Sequence, residues 1–304
     1  MTDAPAVSQP ASALHIAWSR VAIRWSITLS ALLVVGPLVG RLTGSLRNVD
    51  GSIHATPLVS LSPLTGMLGA LVGVVAACTL GAVGGRWFGP RFALRTAGFV
   101  LCWAAWRTGT MDEILRTAQG STPLRSLALE GLVLGAAVLV GVYLMLRCSR
   151  PVHAAEREEF GSGHSRHAMG VFVLASALAV VVGAAGAGFA GWLIAVEPLK
   201  GQAIFAAFFG GIAAGAFGRL AGSLICERVS PMALVGGIVV AAIVAPLTPL
   251  IFQSGAVMDR AYAGTLFKAA YVLPLDWLGG GLVGVPIGIA WVGSMMDKGP
   301  AKTA

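Results

Sequence analysis

The sequence predicts an all-α integral membrane protein of about eight transmembrane helices, arranged as two parallel four-helix repeats. Hydrophobic residues make up 56% of the 304 and charged residues 11%, where soluble proteins carry about 25% charged. Several apolar runs approach or exceed the roughly 20 residues needed to cross a bilayer. Residues of the first half also recur, in the same order, in the second.

The recurrence is clearest at the first span. Ser19, Arg20, Ala22, Ser30, Ala31, Leu32, Val34 and Val35 reappear at an offset of 146 as Ser165, Arg166, Ala168, Ser176, Ala177, Leu178, Val180 and Val181. Pro57, Leu58, Gly69, Gly81 and Pro90 recur at offset 141 as Pro198, Leu199, Gly210, Gly222 and Pro231. Met111-Asp112 echoes Met258-Asp259, Pro123-Leu124 echoes Pro274-Leu275, and Gly131-Leu132-Val133 echoes Gly281-Leu282-Val283. The offset changes only between blocks, where loops absorb insertions. A tandem duplication gives one repeat over 1–150 and, after a linker, a second over 151–304.

The spans are expected at about 21–41, 58–85, 92–108, 126–146, 168–196, 202–225, 231–252 and 272–295. Ahead of the first, the polar residues with Pro5 and Pro10 contain no apolar core before a small-residue cleavage site, so the span reads as a retained anchor. The second and sixth spans are glycine-rich. Gly69-Gly73, Gly211-Gly215 and Gly218-Gly222 are small-xxx-small pairs that let helix backbones approach closely. As repeat partners these two spans are expected near the pseudo-two-fold axis, in contact. The third span is the shortest, and whether it crosses is open. The seventh contains Pro246 and Pro249, which make it the best candidate for a broken helix, although such prolines more often form kinks satisfied by neighbours. Between spans three and four, 111–116 reads as a short amphipathic interfacial helix, as does 258–262 between spans seven and eight.

Basic residues set the orientation. Thirteen Lys and Arg fall in segments on the side of both termini and eight on the other, which places both termini in the cytoplasm. The net charge of +8 reads as juxtamembrane anchoring to anionic lipid. Because the basic residues are scattered over both faces, nucleic acid is not an expected partner. Arg far exceeds Lys, and Ala and Gly abound, which points to a GC-rich bacterial genome and hence the inner membrane.

Ionisable residues inside a membrane are functional suspects by default. The substrate-path candidates are Glu130, Arg219, Asp112, Asp259 and Asp276. Glu130 and Arg219 each lack a charged counterpart in the other repeat. Arg107, Arg125, Arg260 and Lys268 are the expected cationic neighbours of Glu130. The four acids are expected to ring a mouth, with Trp106 and Trp277 as interfacial anchors. The linker residues His153, Glu156, Glu158, Glu159, His164 and His167 could bind metal, but their Gly-Ser-Gly setting reads as a solvated connection. Cys78, Cys102, Cys148 and Cys226 form no Cys-x-x-Cys motif and no expected disulfide framework. No phosphate loop, zinc motif or nucleophile elbow is present, so no catalytic residue, metal or cofactor is expected, and the chain is not read as an enzyme. The leading expectation is a permease-like transporter or channel for a small neutral or weakly polar solute. The alternative is a non-catalytic assembly subunit that packs through its glycine faces on other membrane chains or on a second copy.

Overall fold

The computed structural model describes residues 11–53, 55–118, 120–151, 169–226 and 229–296, with side chains from Trp18 onward. Among these residues every regular element is helical. Seven helices are long and apolar enough to cross a membrane, which makes the chain an all-α, polytopic membrane protein.

The first long helix is built from α1 (Ala11–Ser30), a π-helical turn (Ala31–Val35) and α2 (Gly36–Gly44). Pro37 supplies no N–H to the turn before it, and the helix takes up the fault as a π bulge. Helix α3 (Pro63–Phe88) and helix α4 (Pro90–Trp106) are joined by Gly89 alone. At φ 88° this residue sits where a Cβ is unfavourable, which is why a glycine can end one helix directly before the proline that begins the next. Next come the short α5 (Met111–Ala118) and the long α6 (Thr122–Cys148). Thr110 and Glu113 form a capping box at α5, the carboxylate accepting from the Thr110 N–H at 2.8 Å and its hydroxyl at 3.0 Å.

The second half contains α7 (Met169–Ile194), α8 (Lys200–Ser223), α9 (Pro231–Val244), α10 (Thr248–Phe252), α11 (Val257–Tyr262) and α12 (Pro274–Met296). A 3-10 turn, Ala245–Leu247, separates α9 from α10 at Pro246, where the helix departs from α geometry. Pro249 cannot donate to the Ala245 carbonyl, and the Thr248 hydroxyl does so instead at 2.7 Å. The linker histidines and carboxylates lie outside the described residues.

Contacts along the helices give their directions. Arg24 lies over the Phe92 ring, while the Thr43 hydroxyl donates to the Ala104 carbonyl at 3.0 Å. The first helix and α4 therefore run side by side in the same sense. Ile27 faces Gly84 and Leu42 faces Gly69, so α3 runs against them. The start of α6 meets the segment before α3, and the Arg150 N–H donates to Gly85 O at 3.2 Å beyond the far end; α6 is thus parallel to α3. In the second half Ala175 faces Gly222 and Ala187 faces Gly210, making α7 and α8 antiparallel. Val180 meets Gly236, and Ile204 and Ile212 meet Gly280 and Gly288. Hence α9 follows the sense of α7, and α12 that of α8. Across the halves, α4 packs antiparallel to α12 through Gly98 and Val283, and α6 antiparallel to α9 through Gly135 and Val239. Corresponding helices of the two halves therefore point the same way.

Helix α4 has 17 residues, about 25 Å at 1.5 Å per residue, and is not among the seven helices long and apolar enough to cross. Its contacts with the first helix run from Phe92 to Ala104, nearly its full length.

Three sequence expectations are corrected. The second long helix starts at Pro63 rather than near 58, because Pro57 and Pro63 each deny the chain an amide donor, and 55–62 folds as an irregular segment. Helices α3 and α8 do not form a packed pair; from Gly210 onward the glycines of α8 are used within their own half, against α7, α9, α12 and Val229. Trp277 is no interfacial anchor. It is completely buried, its ring filling a slot left by Gly191 and Gly210, whereas Trp106 is exposed.

Candidate functional site

The bundle has two unlike ends. Every described Asp and Glu lies at the end holding the starts of α3, α6, α8 and α12, the acidic end. The opposite, arginine end carries Arg20, Arg24, Arg86, Arg91, Arg95, Arg147, Arg150 and Arg219. Between the two layers the helices contain no Asp, Glu, Lys or Arg among the described residues.

The site forms at the acidic end, where α6 of the first half meets α12 of the second. Lys200, the first residue of α8, is its organiser. Its ammonium lies 2.8 Å from Oδ1 of Asp276 and 3.1 Å from Oδ2. It also donates to the Thr108 hydroxyl at 2.8 Å and the Gly109 carbonyl at 3.2 Å. Thr108 and Gly109 follow α4, so one lysine ties the second half to the first. Asp276 is 0% exposed and accepts from the Leu273 N–H at 3.0 Å, which closes the first turn of α12.

Glu130 is 1% exposed, although it stands on a helix read as crossing the membrane. Its Oε2 accepts from the Leu58 N–H at 2.9 Å, and the Thr56 hydroxyl lies beside it. Its carboxylate feels the charges of Lys200 and Asp276. The cation near Glu130 is thus Lys200, not one of the four arginines and lysines expected from its side of the membrane. Those four sit on loops and exposed helix faces, whereas Lys200 is held inward by three acceptors. The sequence offered one signal: Lys200 follows Pro198-Leu199 at the position where Val59 follows Pro57-Leu58.

The remaining candidates separate. Asp112 is buried on α5 and pairs with Arg116 at 3.5 Å. Burial, the largest influence, pushes its carboxyl above the ordinary range; Arg116 opposes this and Glu113 adds to it. The charge of Asp112 acts in turn on Tyr271, whose phenol is also raised, mainly by burial. Asp259 is exposed on α11 and does not join the cluster. Helices α5 and α11 do pack on each other, with Arg116 over the Tyr262 ring. Arg219 is at the other end, where its guanidinium donates to the Ile289 carbonyl of α12 at 2.7 Å. It braces two helices rather than facing Glu130.

The packing glycines also separate. A Cβ at Gly211 or Gly215 would strike the Gly281 or Val285 carbonyl of α12. At Gly218 it would come 2.8 Å from the Ala179 carbonyl, and at Gly222 2.6 Å from a Val229 methyl. At Gly73 the neighbour is a Val39 methyl at 2.7 Å, and at Gly69 only Leu42 at 3.7 Å. A depression of about 160 Å³ opens beside the site, between the 48–60 stretch and α5. Among the described residues no three His, Cys, Asp or Glu are grouped to hold a metal. No known protein family, curated protein or solved structure matches this chain.

Proposed function

We propose that the chain is a permease-like transporter or channel for a small neutral or weakly polar solute. It is built from two parallel four-helix repeats, 1–150 and 151–304, crosses a bacterial inner membrane eight times and keeps both termini in the cytoplasm. The observation that carries this reading is the buried Lys200–Asp276–Glu130 cluster at the meeting of the halves. Ionised groups withdrawn from both water and lipid are costly, and in membrane proteins they mark substrate paths. Sites at a repeat interface are a recurrent transporter design. The mid-depth region without Asp, Glu, Lys or Arg favours a neutral solute over an ion.

The duplicated architecture draws support from the shared helix directions of the two halves and from their matching neighbours. In each half the first helix packs on the second and third, and the second on the fourth. The packing of α4 on the first helix along nearly its full length favours a full eighth crossing. Positive charge at the arginine end favours that end as cytoplasmic.

Stopped-flow swelling of proteoliposomes challenged with glycerol, urea and formamide tests the function. Solute-dependent swelling above protein-free vesicles is expected. The second reading, an assembly subunit, is favoured by the close-packed glycine seam at mid-depth. Silent vesicles, together with stoichiometric co-purification of another membrane chain, would replace the first reading with the second.

A further inference from the structure

We propose that residues 47–53 and 55–62 form a movable gate over the acidic end, with Glu130 as its latch; the idea rests on the permease reading above. The segment is a closed unit: the Leu61 N–H donates to the Arg47 carbonyl at 2.8 Å, so its two ends meet as in an Ω-loop. A tight turn lies inside it. There the Asn48 N–H donates to Ser52 O at 2.9 Å and the Ser52 N–H to Asp50 Oδ1 at 2.9 Å. Gly51 occupies φ 82° in open space. The other limb turns inward. Ala55, Thr56 and Pro57 are buried, and the Val59 carbonyl accepts from the Thr56 N–H at 3.3 Å.

What holds this limb down is the buried Glu130 carboxyl: the Leu58 N–H donates to it at 2.9 Å, and the Thr56 hydroxyl lies beside it. Elsewhere the limb borders the depression, where Leu58 and Ser60 face Ile114 and Thr117 of α5 without filling the space. A loop latched to the bundle by a hydrogen bond and bordered by open volume is drawn from the low-stability end of a structure. The second repeat has no such gate. After its matching Pro198-Leu199, α8 begins at once, and Lys200 fixes that place to Asp276. One half therefore offers a rigid post and the other a releasable cover above the same buried charges. A solute carrying a hydrogen-bond donor can take the place of the Leu58 N–H on Glu130 and so release the cover.

Hydrogen–deuterium exchange of the full-length protein, read on peptides covering 55–62 and, as a reference, 203–215, tests the latch. Glu130→Ala should speed exchange over 55–62 by about tenfold or more, since a hydrogen bond to a charged group is lost, and leave 203–215 unchanged. Thr56→Val, which keeps the buried charge, and Glu130→Gln, which keeps an acceptor, should give smaller local rises and serve if the alanine variant does not fold. Flat exchange over 55–62 overturns the proposal. So does an equal rise in both peptides, because Glu130 would then support the whole bundle. The two readings fail separately: flat exchange sinks the latch whatever the vesicles do, while silent vesicles with a released 55–62 segment sink the permease.

Discussion

Lys200 holds together groups that would otherwise repel or stand unmatched. Its ammonium faces one fully buried carboxylate directly and a second at longer range. Removing one partner of a buried ion pair leaves an uncompensated charge, at a cost of about 3–5 kcal/mol. Lys200→Ala should therefore lower the unfolding midpoint in detergent sharply. The pair Lys200→Met with Asp276→Leu should recover much of that loss, because apolar groups of similar size replace a buried pair at little cost. A double variant as unstable as the single one would show that the ion pair itself holds the fold. Asp112 responds to pH in a defined direction. Its carboxyl is raised above the ordinary Asp value of 3.8, so the native state favours the protonated form. The stability it contributes is complete below that value and is lost as pH rises through the native value. Wild type should lose stability relative to Asp112→Asn as pH is raised from 3.8; parallel curves for the two proteins would refute this. At this scale the sequence was partly legible. Glu130 and Asp276 stood out because charges are rare in apolar helices. Lys200 did not, because a lysine at a helix start normally reads as an interfacial anchor. Its three acceptors come from chain segments far apart in sequence.

Among helices, the contact made by each glycine decides its tolerance. Gly211 and Gly215 abut backbone carbonyls of α12 that cannot step aside. Alanine at either should cost about 1–3 kcal/mol, as overpacking does, and should loosen α8 from α12. Gly69 has only a Leu42 contact at 3.7 Å and Gly188 has nothing within 4 Å. Alanine at these two should change stability by less than about 0.5 kcal/mol or raise it slightly. Unfolding midpoints of the four variants check the ranking; equal losses at Gly69 and Gly211 would contradict it. The helices themselves were readable from apolar length, and the departure from α geometry in the seventh span from its prolines. The start of α3 was not, since the residues between Pro57 and Pro63 are as apolar as a helix. Hydropathy cannot tell a chain tucked into protein from one facing lipid. The glycine pattern likewise announced close packing without saying on which partner.

For the molecule as a whole, both ends of the chain and the linker between halves should be cytoplasmic. Reporter fusions after Pro151 and after Ala304 should both read cytoplasmic, and a periplasmic reading at either would remove the eight-crossing arrangement. Separate expression of 1–150 and 151–304 should give two chains that co-purify, because the contacts of α4 with α12 and of α6 with α9 join them without the linker. Failure to associate would mean that the halves fold only as one. Architecture was more legible than position: composition spoke for an all-helical membrane protein, yet it did not indicate which helices would meet at the centre. The centre belongs to α6 and α12, not to the glycine-rich pair, because a shared residue type does not specify its partner.

The seam has one more consequence, which concerns ancestry. On one side a glycine of the first half, Gly98, receives Val283; on the other a glycine of the same half, Gly135, receives Val239. Under the two-repeat reading, Gly98 and Val239 are counterparts at offset 141. At these two contacts the hollow lies on the first half's side of the join and the bulge on the second's. Two first halves would meet hollow to hollow, and two second halves bulge to bulge. Under the two-repeat reading, an ancestral pair of identical halves would lose the fit at both of these contacts.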